Sequence, residues 1–204
     1  MQVDETTVFI VDDDAAVRDS LAVLLSTSGL EVETYASGEE FLDAWNPVRP
    51  GCLVLDVRMP GISGVELLER LHGAGARIPV IIVTGHGDVK IAVRAMKLGA
   101  VDFIEKPFKY ETIMASIQDA LQREEQDRAL ELQLNSYLER LLLLTERERQ
   151  IHDYMVQGDP NKVIAAKLDI SPRTVEIHRA RVMEKLQARN LSQLVKLAIL
   201  AQVS

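Results

Sequence analysis

Five short apolar runs, each followed by an amphipathic stretch, make up the first half of the chain. The runs are predicted to be β-strands near 7–11, 31–35, 52–56, 80–84 and 101–104. The stretches after them are predicted to be helices near 14–28, 38–46, 64–72, 87–98 and from about 110. Repeated βα units give a parallel sheet whose central strands are apolar throughout, because helices cover both faces. The expected fold class is therefore α/β, a doubly wound five-stranded parallel sheet.

Polar residues stand where four of these runs end. Asp12 and Asp13 follow the first run, Asp56 closes the third, Thr84 closes the fourth, and Lys106 comes just after the fifth. The carboxyl ends of parallel strands share one crevice, where ligands bind. Carboxylates, a hydroxyl group and an ammonium group are therefore expected to converge on one small site. Such a site suits a divalent cation beside a reactive aspartate, and Asp56 is expected to attack phosphorus and form an acyl phosphate.

The cation expected at this site is Mg²⁺, with Mn²⁺ able to substitute for it. Mg²⁺ keeps several waters and takes one or two carboxylates together with phosphate oxygens. Asp13 and Asp56 are the candidate carboxylate ligands, the backbone carbonyl of Arg58 is placed to join them, and Asp12 is expected to act through a water.

The phosphoryl group itself has two candidate contacts. Lys106 would neutralise phosphate charge, and the hydroxyl group of Thr84 would hydrogen-bond a phosphate oxygen. Pro107 is a candidate for a cis peptide bond that aims the lysine. Structural interpretations stay open: Thr84 could be a turn residue and Lys106 could be solvated, whereas Asp14 is expected to cap the first helix rather than bind a ligand.

The strand pattern disappears after about residue 120, and the rest of the chain is predicted to be helical. Thr145 and Glu148 form a capping box at the start of one helix. A short helix follows near 161–168, and Ser171 with Pro172 begins the next one, which runs to about 187. A last helix covers about 191–201. Two helices joined by a three-residue turn, the second rich in arginine, predict an all-α helix-turn-helix domain.

The second helix of this pair is expected to enter the major groove of DNA. Candidates for phosphate and base contacts are the basic residues Lys162, Arg173, Arg179, Arg181 and Lys185. Three further residues are expected to share the exposed side and to read base edges, namely Thr174, Glu176 and His178. Glu176 would either accept a hydrogen bond from cytosine or be a bystander. The spacing places Val175, Val182 and Leu186 on the buried face.

Residues 124–140 are predicted to form a linker helix between domains at 1–123 and 141–204. One face of this segment carries apolar residues at helical spacing, Leu130, Leu134, Tyr137 and Leu141. Two interpretations remain open: a solvated linker helix, or a short dimerising coiled coil.

Charge and composition narrow the class of protein. Residues 1–123 carry 11 Lys and Arg against 19 Asp and Glu, whereas residues 141–204 carry 10 against 7. The basic second part is therefore the one suited to a polyanion. The single cysteine, the acidic N-terminus without a signal-peptide pattern, and the absence of about 18 consecutive apolar residues predict a cytoplasmic protein with no membrane partner.

The motifs resemble those of a known family. Residues 1–123 resemble the CheY-like receiver domain of bacterial two-component response regulators, on the strings Ile10–Asp14, Leu55–Gly61, Thr84–Asp88 and Gly99–Phe108. The resemblance implies a sensor histidine kinase as the phosphodonor to Asp56. It also implies that Thr84 and Phe103 are paired switch residues: Thr84 is drawn to the phosphate and Phe103 rotates inward behind it. The helix after Thr84, the Phe103 strand and the following helix would then form the face of a homodimer.

The second part resembles the four-helix DNA-binding domain of the LuxR/NarL class, on the strings Leu144–Gln150, Asn161–Ala165 and Ile170–Arg179. Over essentially the whole chain the resemblance is to the FixJ-like subgroup of response regulators. It implies a transcription factor that dimerises on phosphorylation and binds double-stranded promoter DNA with RNA polymerase as partner. The resemblance favours activation, but the choice between activator and repressor stays open. The protein is not expected to be an enzyme.

Two rival functions remain open at this stage. A phosphatase with an aspartyl nucleophile, of the haloacid dehalogenase-like group, would usually carry a second acid two residues after the nucleophile, where this chain has Arg58. Such an enzyme would also have no use for a helix-turn-helix. The basic domain could alternatively be a protein-interaction bundle, which predicts no salt-dependent binding of DNA.

Overall fold

The computed structural model of the chain describes residues 6–85 and 89–203. They divide into two compact units, Met1–Asp127 and Arg128–Ser204. The acidic N-terminus and the motif residues His86, Gly87 and Asp88, with the predicted start of a helix at 87, lie outside the described residues.

The first unit is built on one sheet of five parallel strands. The strands are β1 Thr7–Val11, β2 Glu31–Tyr35, β3 Gly51–Asp56, β4 Val80–Thr84 and β5 Asp102–Glu105. Their spatial order is β2-β1-β3-β4-β5. β1, β3 and β4 are buried along their whole length, as expected for strands covered on both faces. The predicted fold class is confirmed.

Helices α1 Ala15–Thr27, α2 Gly38–Ala44, α3 Gly64–Gly73 and α4 Val89–Lys97 follow the first four strands, and α5 Tyr110–Leu141 follows the last. Asp14 caps α1, where its carboxylate accepts a hydrogen bond of 2.9 Å from the Ala16 amide. This confirms the interpretation of Asp14 as a cap. Ser63 and Glu66 form a reciprocal capping box at α3, directly after the loop that follows Asp56.

Two apolar layers enclose the sheet. One layer joins Phe9, Leu53 and Ile82 to side chains of α2 and α3, with Phe103 of β5 packed at its margin. The other joins the opposite faces of the same strands to α1 and to the first turns of α5. Burial on both sides fixes the register of the strands, because a slip by one residue would exchange the two faces.

The 32-residue helix α5 contains the whole predicted linker, 124–140. Leu134, Tyr137 and Leu141 pack within the core of the second unit, and Tyr137 is fully buried there. Three of the four residues of that face therefore contact the core of the second unit, whereas Leu130 is half-buried outside it, and the choice between a solvated linker helix and a coiled coil stays open. The domain boundaries at 123 and 141 stay a prediction.

The second unit continues with α6 Glu146–Val156, α7 Asn161–Leu168, α8 Pro172–Lys185 and α9 Leu191–Val203. The capping box of Thr145 and Glu148 is present at α6. Between α7 and α8 the chain reverses through Asp169, whose φ of 53° is left-handed, and Ser171 then caps α8 with Pro172 in its first turn. The predicted helix-turn-helix is confirmed, and Val175, Val182 and Leu186 lie in the core of the unit.

Candidate functional site

Two buried carboxylates share one ammonium group at the carboxyl edge of the sheet. Nζ of Lys106 lies 2.5 Å from Oδ2 of Asp12 and 2.8 Å from Oδ1 of Asp56. Asp12 is 3% exposed and Asp56 is 6% exposed. These side chains come from the ends of β1, β3 and β5, which are not neighbours in sequence. The predicted convergence of Asp12, Asp56 and Lys106 is therefore present in the structure.

Backbone groups orient the two carboxylates. The Arg58 amide donates a hydrogen bond of 2.6 Å to Oδ2 of Asp56, and the Asp14 amide donates one of 3.0 Å to Oδ1 of Asp12. Gly64 lets the chain return close to the end of β3, because a Cβ atom there would lie 2.1 Å from the Asp56 carbonyl oxygen. Only glycine fits that approach, so the loop after Asp56 is held against the strand.

Arg18 is a site residue that the sequence interpretation missed. Its guanidinium group donates a hydrogen bond of 2.6 Å to the Asp12 backbone carbonyl. The sequence signal was its position one turn into α1, from where a long side chain can reach back to the strand end. The Lys106–Pro107 peptide bond is cis.

The pKa values reflect an unequal balance of charge. Burial raises the pKa of Asp56 and outweighs the hydrogen bond and charge of Lys106, and the neighbouring Asp12 carboxylate adds to the increase. Burial acts to lower the pKa of Lys106, but its hydrogen bonds to Asp12 and Asp56 prevail and raise it. A simple ion pair would lower the carboxyl pKa. The rise means that the hydrogen bond and charge of Lys106 do not offset the burial of the Asp56 carboxylate.

Asp13 lies beside this pair but is exposed. Within residues 6–85 and 89–203, no group of three or more His, Cys, Asp or Glu side chains is arranged to hold a metal ion. The donor set is instead two buried carboxylates with surplus negative charge, a nearby exposed carboxylate and backbone carbonyls. These oxygens fit Mg²⁺, which takes few carboxylates and keeps its waters. Receiver domains as a class bind Mg²⁺ at their phosphorylation site.

The two predicted switch residues lie on the same face of the sheet. Thr84 ends β4 and is 1% exposed, and its backbone carbonyl accepts a hydrogen bond of 2.7 Å from the Lys106 amide. Phe103 pairs in register with Ile82, two residues before Thr84, and is half-buried. Side chains two residues apart on a strand point to the same side. A displacement of Thr84 would therefore change the packing of the apolar layer that contains Phe103.

In the second unit, the predicted DNA-contact residues do not all share one exposed side. Arg173, Glu176 and Arg181 of α8 are exposed, as is Lys162 of α7, and Arg179 is half-buried. Thr174 and His178 are also half-buried, which corrects their assignment to the exposed side. His178 lies three residues after the buried Val175 and four before the buried Val182, and Thr174 directly precedes Val175, so both border the core.

The ammonium group of Lys185 is paired with groups inside the second unit. Its Nζ lies 2.6 Å from the buried Oε2 of Glu148 and donates to the Leu143 carbonyl at 3.2 Å. Its ammonium is thus placed as an anchor between α6 and α8, which differs from the predicted contact with DNA. This pair could not be found from spacing, because its partners are 37 residues apart.

A second polar link ties α5 to α6. The Tyr137 hydroxyl and Nε2 of His152 are 2.7 Å apart, and Nδ1 of His152 lies 2.9 Å from Asp153. Burial and the nearby Asp153 charge raise the pKa of Tyr137 to about 12. The hydroxyl therefore stays protonated and serves as a fixed hydrogen-bonding group in this core.

Comparisons with known proteins agree with this geometry. Residues 8–118 match the response regulator receiver domain, and residues 142–198 match the luxR family of bacterial regulatory proteins. The transcriptional regulatory protein FixJ of Azorhizobium caulinodans is 51% identical over 197 residues, which cover 97% of this chain and 93% of that protein. No helix among the described residues is long and apolar enough to cross a membrane.

Two solved structures are similar to the chain over almost its whole length. The response regulator StyR is 42% identical with a TM-score of 0.78, over 95% of this chain and 98% of that one. Full-length FixJ from B. japonicum is 46% identical with a TM-score of 0.60, over 98% of both chains.

Proposed function

Because the chain belongs to the two-component response regulators that join a receiver domain to a luxR-type DNA-binding domain, we propose that phosphorylation of Asp56 switches its binding to DNA. Proteins of this family are transcriptional regulators and not enzymes. The observation that carries the proposal is the single Lys106 ammonium shared by the buried carboxylates of Asp12 and Asp56.

Asp56 is the phosphoacceptor in this proposal. Its Oδ1 faces Lys106 and its Oδ2 accepts the Arg58 amide, so the carboxylate is held in one orientation at the open edge of the sheet. A carboxylate oxygen attacks the phosphorus of a phosphohistidine on a sensor histidine kinase, and the P–N bond breaks. Lys106 neutralises charge on the incoming phosphoryl oxygens.

The ligands proposed for Mg²⁺ are Asp13, Asp56 and the Arg58 carbonyl, with Asp12 acting through a water, and Mn²⁺ is expected to substitute. A bound divalent cation supplies charge compensation between the carboxylates and the phosphoryl donor. The residues of the chain supply the negative charge of the pocket. Because Lys106 alone does not balance this charge, the pocket attracts the cation.

Phosphorylation is coupled to the rest of the receiver through Thr84. The phosphoryl group adds up to about two negative charges, which attract Lys106 and the Thr84 hydroxyl. Thr84 and Phe103 face the same apolar layer, so a shift of the first makes room for the second to move inward. The resulting face, formed by α4, β5 and the start of α5, is the proposed dimer interface.

The second unit supplies the output. Lys162, Arg173, Arg179 and Arg181 take part in none of the ion pairs found among the described residues, and three of them are exposed. They are proposed to contact phosphates and bases, with Glu176 beside them. Two tethered copies on a two-fold site gain effective concentration, which offsets the modest charge of one copy. Promoter activation through RNA polymerase in the cytoplasm completes the proposal.

Binding to DNA with and without a phosphodonor tests this function. The full chain is incubated with Mg²⁺ and acetyl phosphate, and bound sequences are selected from a random duplex library. Footprinting at limiting protein is expected to show at least about tenfold tighter binding after phosphorylation, because dimerisation links two contacts. Asp56→Asn is expected to show no such gain, whereas Asp43→Asn, which removes an exposed carboxylate, keeps it. Equal occupancy with and without phosphodonor in the wild type would refute the proposal.

A further inference from the structure

The outer face of α8 carries one large apolar side chain. Val175 and Val182 point into the core, and Thr174 and His178 border it, with Nδ1 of His178 buried and without a hydrogen-bond partner among the described residues. Ile177, in contrast, is 49% exposed. Ile177 is not one of the DNA contacts predicted from the sequence.

The neighbours of Ile177 define its surroundings. Arg173 lies four residues before it and Arg181 four residues after it, so both flank it on the helix surface. Ala180, three residues after Ile177, is exposed and has a small side chain, so the isoleucine side chain projects beyond it. An apolar side chain is thus placed between two exposed guanidinium groups. Such a surface is complementary to a partner that carries closely spaced negative charges on both sides of a small apolar group.

Double-stranded DNA has this combination in its major groove. Phosphates line both edges, and the only apolar group on a base edge is the C5-methyl of thymine. We propose that Ile177 is a specificity-determining residue that packs against a thymine methyl in each half-site. The proposal rests on the proposed binding of the second unit to DNA, and it adds the base that this helix prefers.

Replacement of thymine by deoxyuridine tests the contact directly, because it removes only the methyl group. Sequences selected by the phosphorylated full chain are remade with deoxyuridine at one thymine at a time, and Kd is measured by fluorescence anisotropy. At one thymine per half-site, the wild type is expected to lose about fourfold in affinity, the value of one buried methyl. Ile177→Ala is expected to bind both duplexes equally at that position, and Ile177→Val to keep part of the preference.

Leu132→Ala is the matched control. Leu132 is 65% exposed on α5, so the substitution removes exposed apolar surface from a different helix than the one that carries the proposed contact. This variant is expected to keep the full preference for thymine. Wild-type binding that is insensitive to deoxyuridine at every position would overturn the proposal, as would an Ile177→Ala variant as sensitive as the wild type.

Two other results separate this inference from the proposed function. Loss of promoter activation in Ile177→Ala, with DNA affinity and methyl preference unchanged, would mean that the residue faces a protein partner, and it would overturn the thymine contact alone. Failure of the phosphorylated wild type to bind any duplex would overturn the proposed function and this inference together.

Discussion

In each unit of this chain a lysine forms ion pairs with buried carboxylates, but the number of carboxylates for each lysine differs. Lys106 serves two carboxylates, whereas Lys185 serves one, Glu148, which also accepts hydrogen bonds from the Thr145 amide and hydroxyl at 2.9 Å. The hydrogen bond from Lys185 holds the pKa of Glu148 at about 2, against the opposing effect of burial. The pKa of Asp56 is raised instead. The charge of Glu148 is balanced by Lys185, and this ion pair links α6 to α8. The receiver pocket has two carboxylates for one ammonium group, so it keeps negative charge that can attract a cation.

The largest expected effect is on phosphoryl transfer. Asp56→Asn removes the attacking oxygen, and no phosphoprotein is expected to form, whereas Glu148→Gln leaves the receiver pocket intact and is expected to be phosphorylated normally. Incubation with acetyl phosphate and Mg²⁺, followed by phosphate-affinity gel electrophoresis, measures both. A phosphorylated Asp56→Asn chain would show that another residue is the acceptor.

The next effect concerns the stability of the receiver unit. Lys106→Met leaves the Asp12 and Asp56 carboxylates without their cation, and the free energy of unfolding is expected to fall by about 2–3 kcal/mol. Mg²⁺ is expected to restore much of this loss, because it binds the folded pocket and compensates the same charges. Urea unfolding followed by Trp45 fluorescence reports on this unit, since Trp45 packs on Phe41 in its core. The absence of a Mg²⁺ response in both the variant and the wild type would argue against a cation site here.

A smaller loss is expected from Lys185→Met in the second unit. Glu148 keeps its bonds to Thr145 and the Lys185 side chain is 35% exposed, so solvent screens part of the interaction and the cost is about 1–2 kcal/mol. Hydrogen exchange measured by mass spectrometry on α6 and α8 peptides gives the local free energy of opening. Mg²⁺ is not expected to restore this loss. Restoration of the lost stability by Mg²⁺ would contradict the proposed difference between the Lys106 and Lys185 sites.

The smallest effect is the pH dependence, which has opposite signs at the two carboxylates. The raised pKa of Asp56 means that its ionisation opposes folding, so Asp56→Asn is expected to raise stability at pH 7. That gain should vanish as the pH falls to the ordinary value for aspartate. Glu148 has a lowered pKa, so its contribution is present above the ordinary value for glutamate and is lost as the pH falls toward about 2. Urea unfolding of Asp56→Asn and Glu148→Gln across pH 3–7 would measure both, and parallel profiles would contradict the comparison.

The sequence predicted what depends on local pattern and strand order. Apolar runs and caps predicted the elements, and the rule that parallel strand ends share a crevice predicted the convergence of Asp12, Asp56 and Lys106. The ion pair of Lys185 could not be predicted, because its partner Glu148 lies on another helix 37 residues away, and contact of Lys185 with DNA stays a prediction. Thr174 and His178 were placed outside because helical spacing alone does not give the width of the buried face.

The face of α5 that carries Leu134, Tyr137 and Leu141 has a practical meaning for domain exchange. A chimaera joined at residue 141 would discard Tyr137, leaving Nε2 of His152 without its hydroxyl partner and opening a hole beside α6. A junction at residue 128 keeps these side chains with the helices that they stabilise. Exchange of receivers between relatives of this chain should therefore carry the last four turns of α5 along with the DNA-binding helices.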